Sequence, residues 1–259
     1  MRRRRRLPSP LLDVGLFADR AFSAALAVLL IGLVGVGGTM YLVTQYLQLV
    51  EGLPAAEAGL LMGSPALAML AAAIGAPVLA RWLRPGLVMA VTLGLSMIGY
   101  ALLGTAGTGE APCVVAGFAL AYLGLGAIAA LGTDMVVGAA PASKSGSAAA
   151  MSETVQELGL AAGVALLGSL TTAVYSARMA VPPGTPPAVA EQATGSLSGA
   201  LSVAGHAQVD VARAQETFTA GLNAASLVAG AAVLAATVLC VAALRHVRPL
   251  GEQADAPPP

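Results

Sequence analysis

Two glutamates in the stretch MSETVQELG, Glu153 and Glu157, stand four residues apart in an otherwise apolar block. That spacing puts both carboxyls on one face of a helix, with Gln156 beside them. Two carboxylates on one face repel when both are ionised, and an apolar setting opposes ionisation further. Both effects hold a proton on one of the pair, which is what a proton carrier needs. The alternative for Glu153 is a place in the interfacial layer, where it solvates the helix entrance. A third carboxylate, Asp134, closes another apolar block in LGTDMVVGAAP. It could instead pair with Lys144 or Arg81, or cap the following turn. Ionisable groups inside membrane spans are costly, so all three are candidates for proton coupling.

Polar residues without charge suggest a second kind of chemistry. Gln45, Gln48 and Tyr41 lie near the end of the first apolar block, and Gln156 lies beside the glutamates. These four are candidates for lining a substrate cavity. For Tyr41 and its neighbour Tyr46 the alternative is anchoring at the membrane surface, as for Trp82 at the opposite face. Gly59 with Gly63, and Gly159 with Gly163, form two Gly-x-x-x-Gly pairs that permit close helix packing. Enzyme signatures are absent. GSLSG at 195–199 does not place serine at the centre of a nucleophile elbow. No phosphate-binding loop, metal-ligand cluster or cofactor motif is present. The sequence therefore predicts no enzyme, no cofactor and no metal.

The elements that must hold these residues follow from composition. The 259 residues include 13 Lys and Arg and 13 Asp and Glu, so the formal net charge is zero. Charged residues make up 10%, against roughly 25% in soluble domains. The hydrophobic class reaches 57%, and mean hydropathy is +0.81. So little charge cannot clothe a soluble protein of this length. The figures exclude a disordered chain and a nucleic-acid partner bound through net charge. The 31 glycines and only 4% aromatics fit helices that pack through small residues in lipid.

A span of the bilayer core needs about 20 apolar residues. Six blocks qualify: Phe22 to Leu47, Glu57 to Ala80, Gly86 to Ala106, Pro112 to Val137, Met151 to Tyr175 and Gly221 to Leu244. They are long and apolar on every face, unlike the short alternating strands of a barrel. The predicted fold class is an all-α membrane protein with six transmembrane helices in one bundle. Arg81 and Arg84 mark a short basic loop between the second and third. Residues 1–21 form a basic N-terminal segment, 22–176 carry five spans, 221–245 the sixth and 246–259 a tail. The stretch 177–220 opens with Pro182, Pro183, Pro186 and Pro187 and reads as short amphipathic helices outside the membrane, or as a solvated spacer.

Lys and Arg fix the orientation. Eleven of the 13 fall on the side of the N-terminus: Arg2 to Arg6, Arg20, Arg81, Arg84, Lys144, Arg245 and Arg248. Only Arg178 and Arg213 fall on the other. Both termini are expected in the cytoplasm and the 177–220 loop outside. The Arg2–Arg6 run reads as an anchor on anionic lipid. Cys113 and Cys240 fall at opposite membrane faces, too far apart for a disulfide.

These segments carry a family resemblance. YLVTQYLQLVEGLPAAEAGLLMGSPALA (41–68), GAPVLARWLRPG (75–86) and above all VVGAAPASKSGSAAAMSETVQELGLAAGVALLGSL (136–170) resemble the fourteen-helix drug:proton antiporters of the major facilitator superfamily. The likeness runs from about Pro8 to Pro249 and corresponds to the last six helices of that family. The resemblance implies a C-terminal half-transporter and links Glu153 to proton or cation handling. Some members carry a carboxylate in the helix matching Ala58 to Ala80, which has none here.

The expectation is proton-coupled efflux of amphipathic drugs or other small molecules across the inner membrane of a bacterial cell. The expected partners are the lipid bilayer, a small-molecule substrate, protons, and either a missing N-terminal transporter half or a second copy of the chain. The rival is a truncated or non-transporting membrane protein that acts only as an interaction subunit.

Overall fold

A computed structural model describes residues 14–132, 144–204 and 209–244. A short 3₁₀ turn, Val14–Ala18, leads into α1 (Arg20–Gln45), which widens into a π-helical segment, Tyr46–Val50. Then come α2 (Ala55–Leu61), α3 (Gly63–Leu79), α4 (Pro85–Gly104) and α5 (Ala111–Ala127), the last continued by a π-helical segment, Ile128–Gly132. After the undescribed stretch follow α6 (Ser145–Arg178), α7 (Pro187–Gly195), α8 (Leu197–Val203) and α9 (Val211–Leu244). Every regular element among the described residues is helical. Among the described residues, six spans are long and apolar enough to cross a membrane: Phe22–Val50, Ala55–Leu79, Gly86–Gly104, Ala111–Leu131, Ser145–Arg178 and Val211–Leu239. Helix is the one local structure that satisfies every backbone group within a single segment in lipid.

The helices start and stop where the chain's chemistry directs. Pro85 opens α4 and Pro112 lies in the first turn of α5, where a missing N–H is harmless. Gly52, with φ of +69°, turns the chain after the first span. Two helices run past their apolar blocks. α9 begins at Val211 rather than near 221, because Asp210 Oδ1 accepts the Arg213 N–H at 3.1 Å and caps a run of good helix formers. α6 has 34 residues, about 51 Å at 1.5 Å per residue, and so overruns a core of about 30 Å at its ends.

The first span is the centre of the bundle, packed on the fifth and sixth, while the third lies between the fourth and sixth. The second leans mainly on the fourth. Two thirds (67%) of the first span's most apolar stretch is buried, against 11% of the second's. Small residues permit the closest crossing. A Cβ built on Gly163 in the fifth span would overlap the Val34 carbonyl oxygen and lie 2.8 Å from the Gly38 nitrogen in the first. Only a glycine pair lets these two backbones touch.

Within the 177–220 stretch, α7 and α8 are docked on the bundle. Ala193, Leu197, Ala200 and Val203 are buried on one side of α7 and α8. Tyr175, near the end of α6, donates its hydroxyl proton to the Ala193 carbonyl at 2.9 Å. α7 and α8 therefore sit as a roof on one end of the bundle.

Candidate functional site

The site grows from the first and fifth spans at the roofed end. Tyr41 and Gln45 from α1 meet Gly168, Ser169, Thr172 and Ser176 from α6 around a half-open cavity of about 590 Å³. Ser196, Leu197 and Ser198 of the roof close one edge, and Phe218 of α9 lies behind. Ser169, Thr172 and Ser176 share a face because they recur at helical spacing. Across from them, the Tyr41 ring packs against α6 at Gly168, where a Cβ would lie 3.7 Å from it, an ordinary contact distance.

The cavity is polar but uncharged. Among its lining residues there is no Asp, Glu, Lys, Arg or His. Two of its hydroxyls are engaged: Thr171 donates to the Gly221 carbonyl at 3.3 Å, and Tyr175 to Ala193. Ser196 accepts the Gly199 N–H at 3.1 Å as the N-cap of α8, and its oxygen lies 3.2 Å from that of Ser198.

The predicted residues divide between this cavity and other places. Tyr41 and Gln45 line it. Gln48 is half-buried outside it, and Gln156 lies lower on α6 with its amide 3.5 Å from Ser152 Oγ. Glu153 and Glu157 are exposed on α6, so the bundle by itself does not enclose them. From Thr154 to Ser176 the same side of α6 presents Thr154, Glu157, Ala161, Ala165, Ser169, Thr172 and Ser176, all exposed, with Leu158 and Leu166 beside them. That track of small and polar residues covers about 22 Å from carboxylate to cavity. Asp134 lies outside the described residues. Gly159 and Gly163 stand at the contact with the first span, with a Cβ on Gly159 2.8 Å from that of Leu33. Gly59 and Gly63 face open space, with nothing within 4 Å of a Cβ built there. Arg81 and Arg84 are exposed in the turn between α3 and α4, beside an exposed Trp82. Among the described residues no group of three or more His, Cys, Asp or Glu could hold a metal.

A second polar centre was not anticipated from the sequence. Tyr46 is fully buried, not an exposed surface anchor. Its hydroxyl donates to Glu51 Oε1 at 2.5 Å and lies 2.6 Å from the Gly107 carbonyl oxygen. The Gly109 N–H reaches the same Glu51 oxygen at 2.9 Å, and the Gly107 N–H reaches Glu110 Oε2 at 2.8 Å. Gly109 adopts φ of +81°, which lets the turn present its amide. From the sixth span, Gln215 donates to the Leu49 and Val50 carbonyls at 3.2 and 3.0 Å, and Asn223 to the Ala106 carbonyl at 3.1 Å. The clasp ties three connections at one end of the bundle. The one hint in the sequence was a tyrosine five residues before a glutamate at a span end.

No protein-family model matches the chain. It is 31% identical over 252 residues to the multidrug efflux pump LfrA of Mycolicibacterium smegmatis, covering 95% of this chain and 50% of that protein. It is 29% identical over 215 residues to the methyl viologen resistance protein SmvA of Salmonella typhimurium, covering 79% and 43%. It is also 30% identical over 176 residues to a Streptomyces coelicolor protein named "Probable actinorhodin transporter", covering 66% and 30%. The chain spans half the length or less of these relatives. It is a six-span membrane chain whose homologues are drug-efflux and drug-resistance transporters.

Proposed function

We propose that this chain forms one six-helix bundle of a proton-coupled efflux transporter of the major facilitator kind, exporting amphipathic small molecules across a bacterial inner membrane. The observation that carries the reading is the outward side of the fifth span. The second span turns Leu60, Leu67, Leu70, Ile74 and Val78 outward, as a lipid-facing surface does. The fifth also exposes Leu158, Val164 and Leu166, but alongside them runs a track of Thr, Ser, Ala and Glu157 that ends at the polar cavity. Such a track suits a water-filled path between two bundles better than acyl chains. Relatives about twice as long supply room for a second bundle.

In this reading two bundles rock about a shared site, exposing it to each side in turn. A proton moving inward on Glu157 or Glu153 drives the substrate outward. The second bundle is an N-terminal half or another copy of the chain, and both termini face the cytoplasm. The test is dye efflux from proteoliposomes holding the chain alone, then the chain joined to the first half of a relative. Efflux is expected only from the joined form and only with a proton gradient. Efflux by the isolated chain, unchanged by Glu153→Gln and Glu157→Gln, would sink both parts. A joined form that folds but never transports would favour an interaction subunit.

A further inference from the structure

The cavity contains polar groups that the fold leaves unmet. Hydroxyls in membrane helices usually bond back to the carbonyl four residues earlier. Thr39, Thr44, Thr92, Thr154, Thr217, Thr219 and Thr237 all do so here, at 2.7 to 3.0 Å. Thr171 bonds across to the sixth span instead. Thr172 is the exception among the described threonines within spans: it has no hydrogen bond in the described chain and opens into the cavity. Ser169, Ser176, Tyr41 and Gln45 likewise carry no hydrogen bond among the described residues and line the same space. These five polar groups around one cavity of about 590 Å³ are open to an incoming ligand rather than spent on packing within the bundle. The volume lies within the range of about 300–1,000 Å³ that holds drug-sized molecules.

The chemistry of the lining selects the ligand. A cation placed here would lose water and find no carboxylate in return. Glu157, on the same track, is about 22 Å away along the helix. Hydroxyls and an amide both donate and accept, so they match carbonyl and hydroxyl oxygens on an uncharged partner. Tyr41 adds an aromatic ring to the lining. We propose that this cavity binds uncharged, planar, oxygen-rich molecules, with Thr172 and Ser198 as hydrogen-bonding contacts and the α7–α8 roof as part of the site. As a statement of substrate class this rests on the efflux reading, while as a statement of binding it stands on the cavity.

The experiment is a fluorescence titration of the whole chain in lipid nanodiscs, with empty discs subtracted. One probe is an uncharged dihydroxyanthraquinone, the other ethidium, a planar cation of similar size. The quinone is expected to bind saturably, and Thr172→Val and Ser198→Ala each to weaken it about fivefold. Ethidium is expected neither to bind there nor to compete. Ser198→Asp, which adds the missing carboxylate, is expected to admit ethidium. Circular dichroism confirms that each variant keeps its helices. Ethidium bound as tightly as the quinone and lost with the same variants would overturn the assignment. So would the absence of saturable quinone binding by a helical chain. If binding holds and proteoliposome efflux fails, the efflux reading falls alone.

Discussion

The Tyr46 hydroxyl stands 2.5 Å from the Glu51 carboxylate while also meeting the Gly107 carbonyl at 2.6 Å, so one phenol joins the end of the first span to the turn between the third and fourth. Tyr46→Phe keeps the ring but strips both oxygens of their partner. A loss of about 1–3 kcal/mol is expected, because two half-buried acceptors lose their shared donor. Tyr41→Phe, on an exposed ring, is expected to change little. Unfolding of the purified chain in mixed micelles, followed by circular dichroism, measures both.

The two Gly-x-x-x-Gly pairs are expected to answer substitution in opposite ways. Gly163→Ala drives a methyl into the first span's backbone and is expected to cost about 1–3 kcal/mol. Gly59→Ala meets open space and gains helix propensity, so it is expected to be neutral or to stabilise by up to about 1 kcal/mol. The same micelle titration decides. Equal effects at both positions would contradict the packing.

Glu157 lies on the track leading to the cavity, whereas Glu153 lies one turn nearer the helix start. In the joined two-bundle form, Glu157→Gln is expected to lower gradient-driven efflux about tenfold or more, a loss in the driven step of about 1.4 kcal/mol or more. Glu153→Gln is expected to do less. Rates at imposed pH gradients in proteoliposomes separate a loss of coupling from a loss of substrate affinity.

Orientation has its own test. With Cys113 and Cys240 both replaced by alanine, Glu191→Cys in the roof is expected to react with a membrane-impermeant maleimide added to intact cells. Arg84→Cys, in the basic turn, is expected to react only after the cells are broken. The reverse pattern would invert the topology drawn from Lys and Arg.

The six spans were legible in the sequence because lipid demands long apolar helices, and each apolar block holds one. Their ends were not. The apolar pattern stops near Gly221, but the helix continues back to Val211, since helix formation is limited by caps rather than by hydropathy. Tyr41 and Gln45, singled out for their place near a span end, line the cavity. Thr172 was missed because a threonine within a span is normally silent, and only the absence of its back-bond sets it apart. Tyr46 and Glu51 were missed for a different reason. Their partners are amides and carbonyls of a turn 58 to 64 residues away, which no local pattern reports. The docking of α7 and α8 was hidden likewise, because a few buried alanines and leucines look much like any amphipathic spacer.

The second span touches its own bundle chiefly along the fourth and buries little of itself. Its residence in the membrane is therefore decided mainly by partition into lipid, not by grip from its neighbours. Pulled by a probe from the end of the chain, it would come out as a step of its own, at a force set by hydropathy. The first span, held on several sides, would resist until the bundle itself gave way.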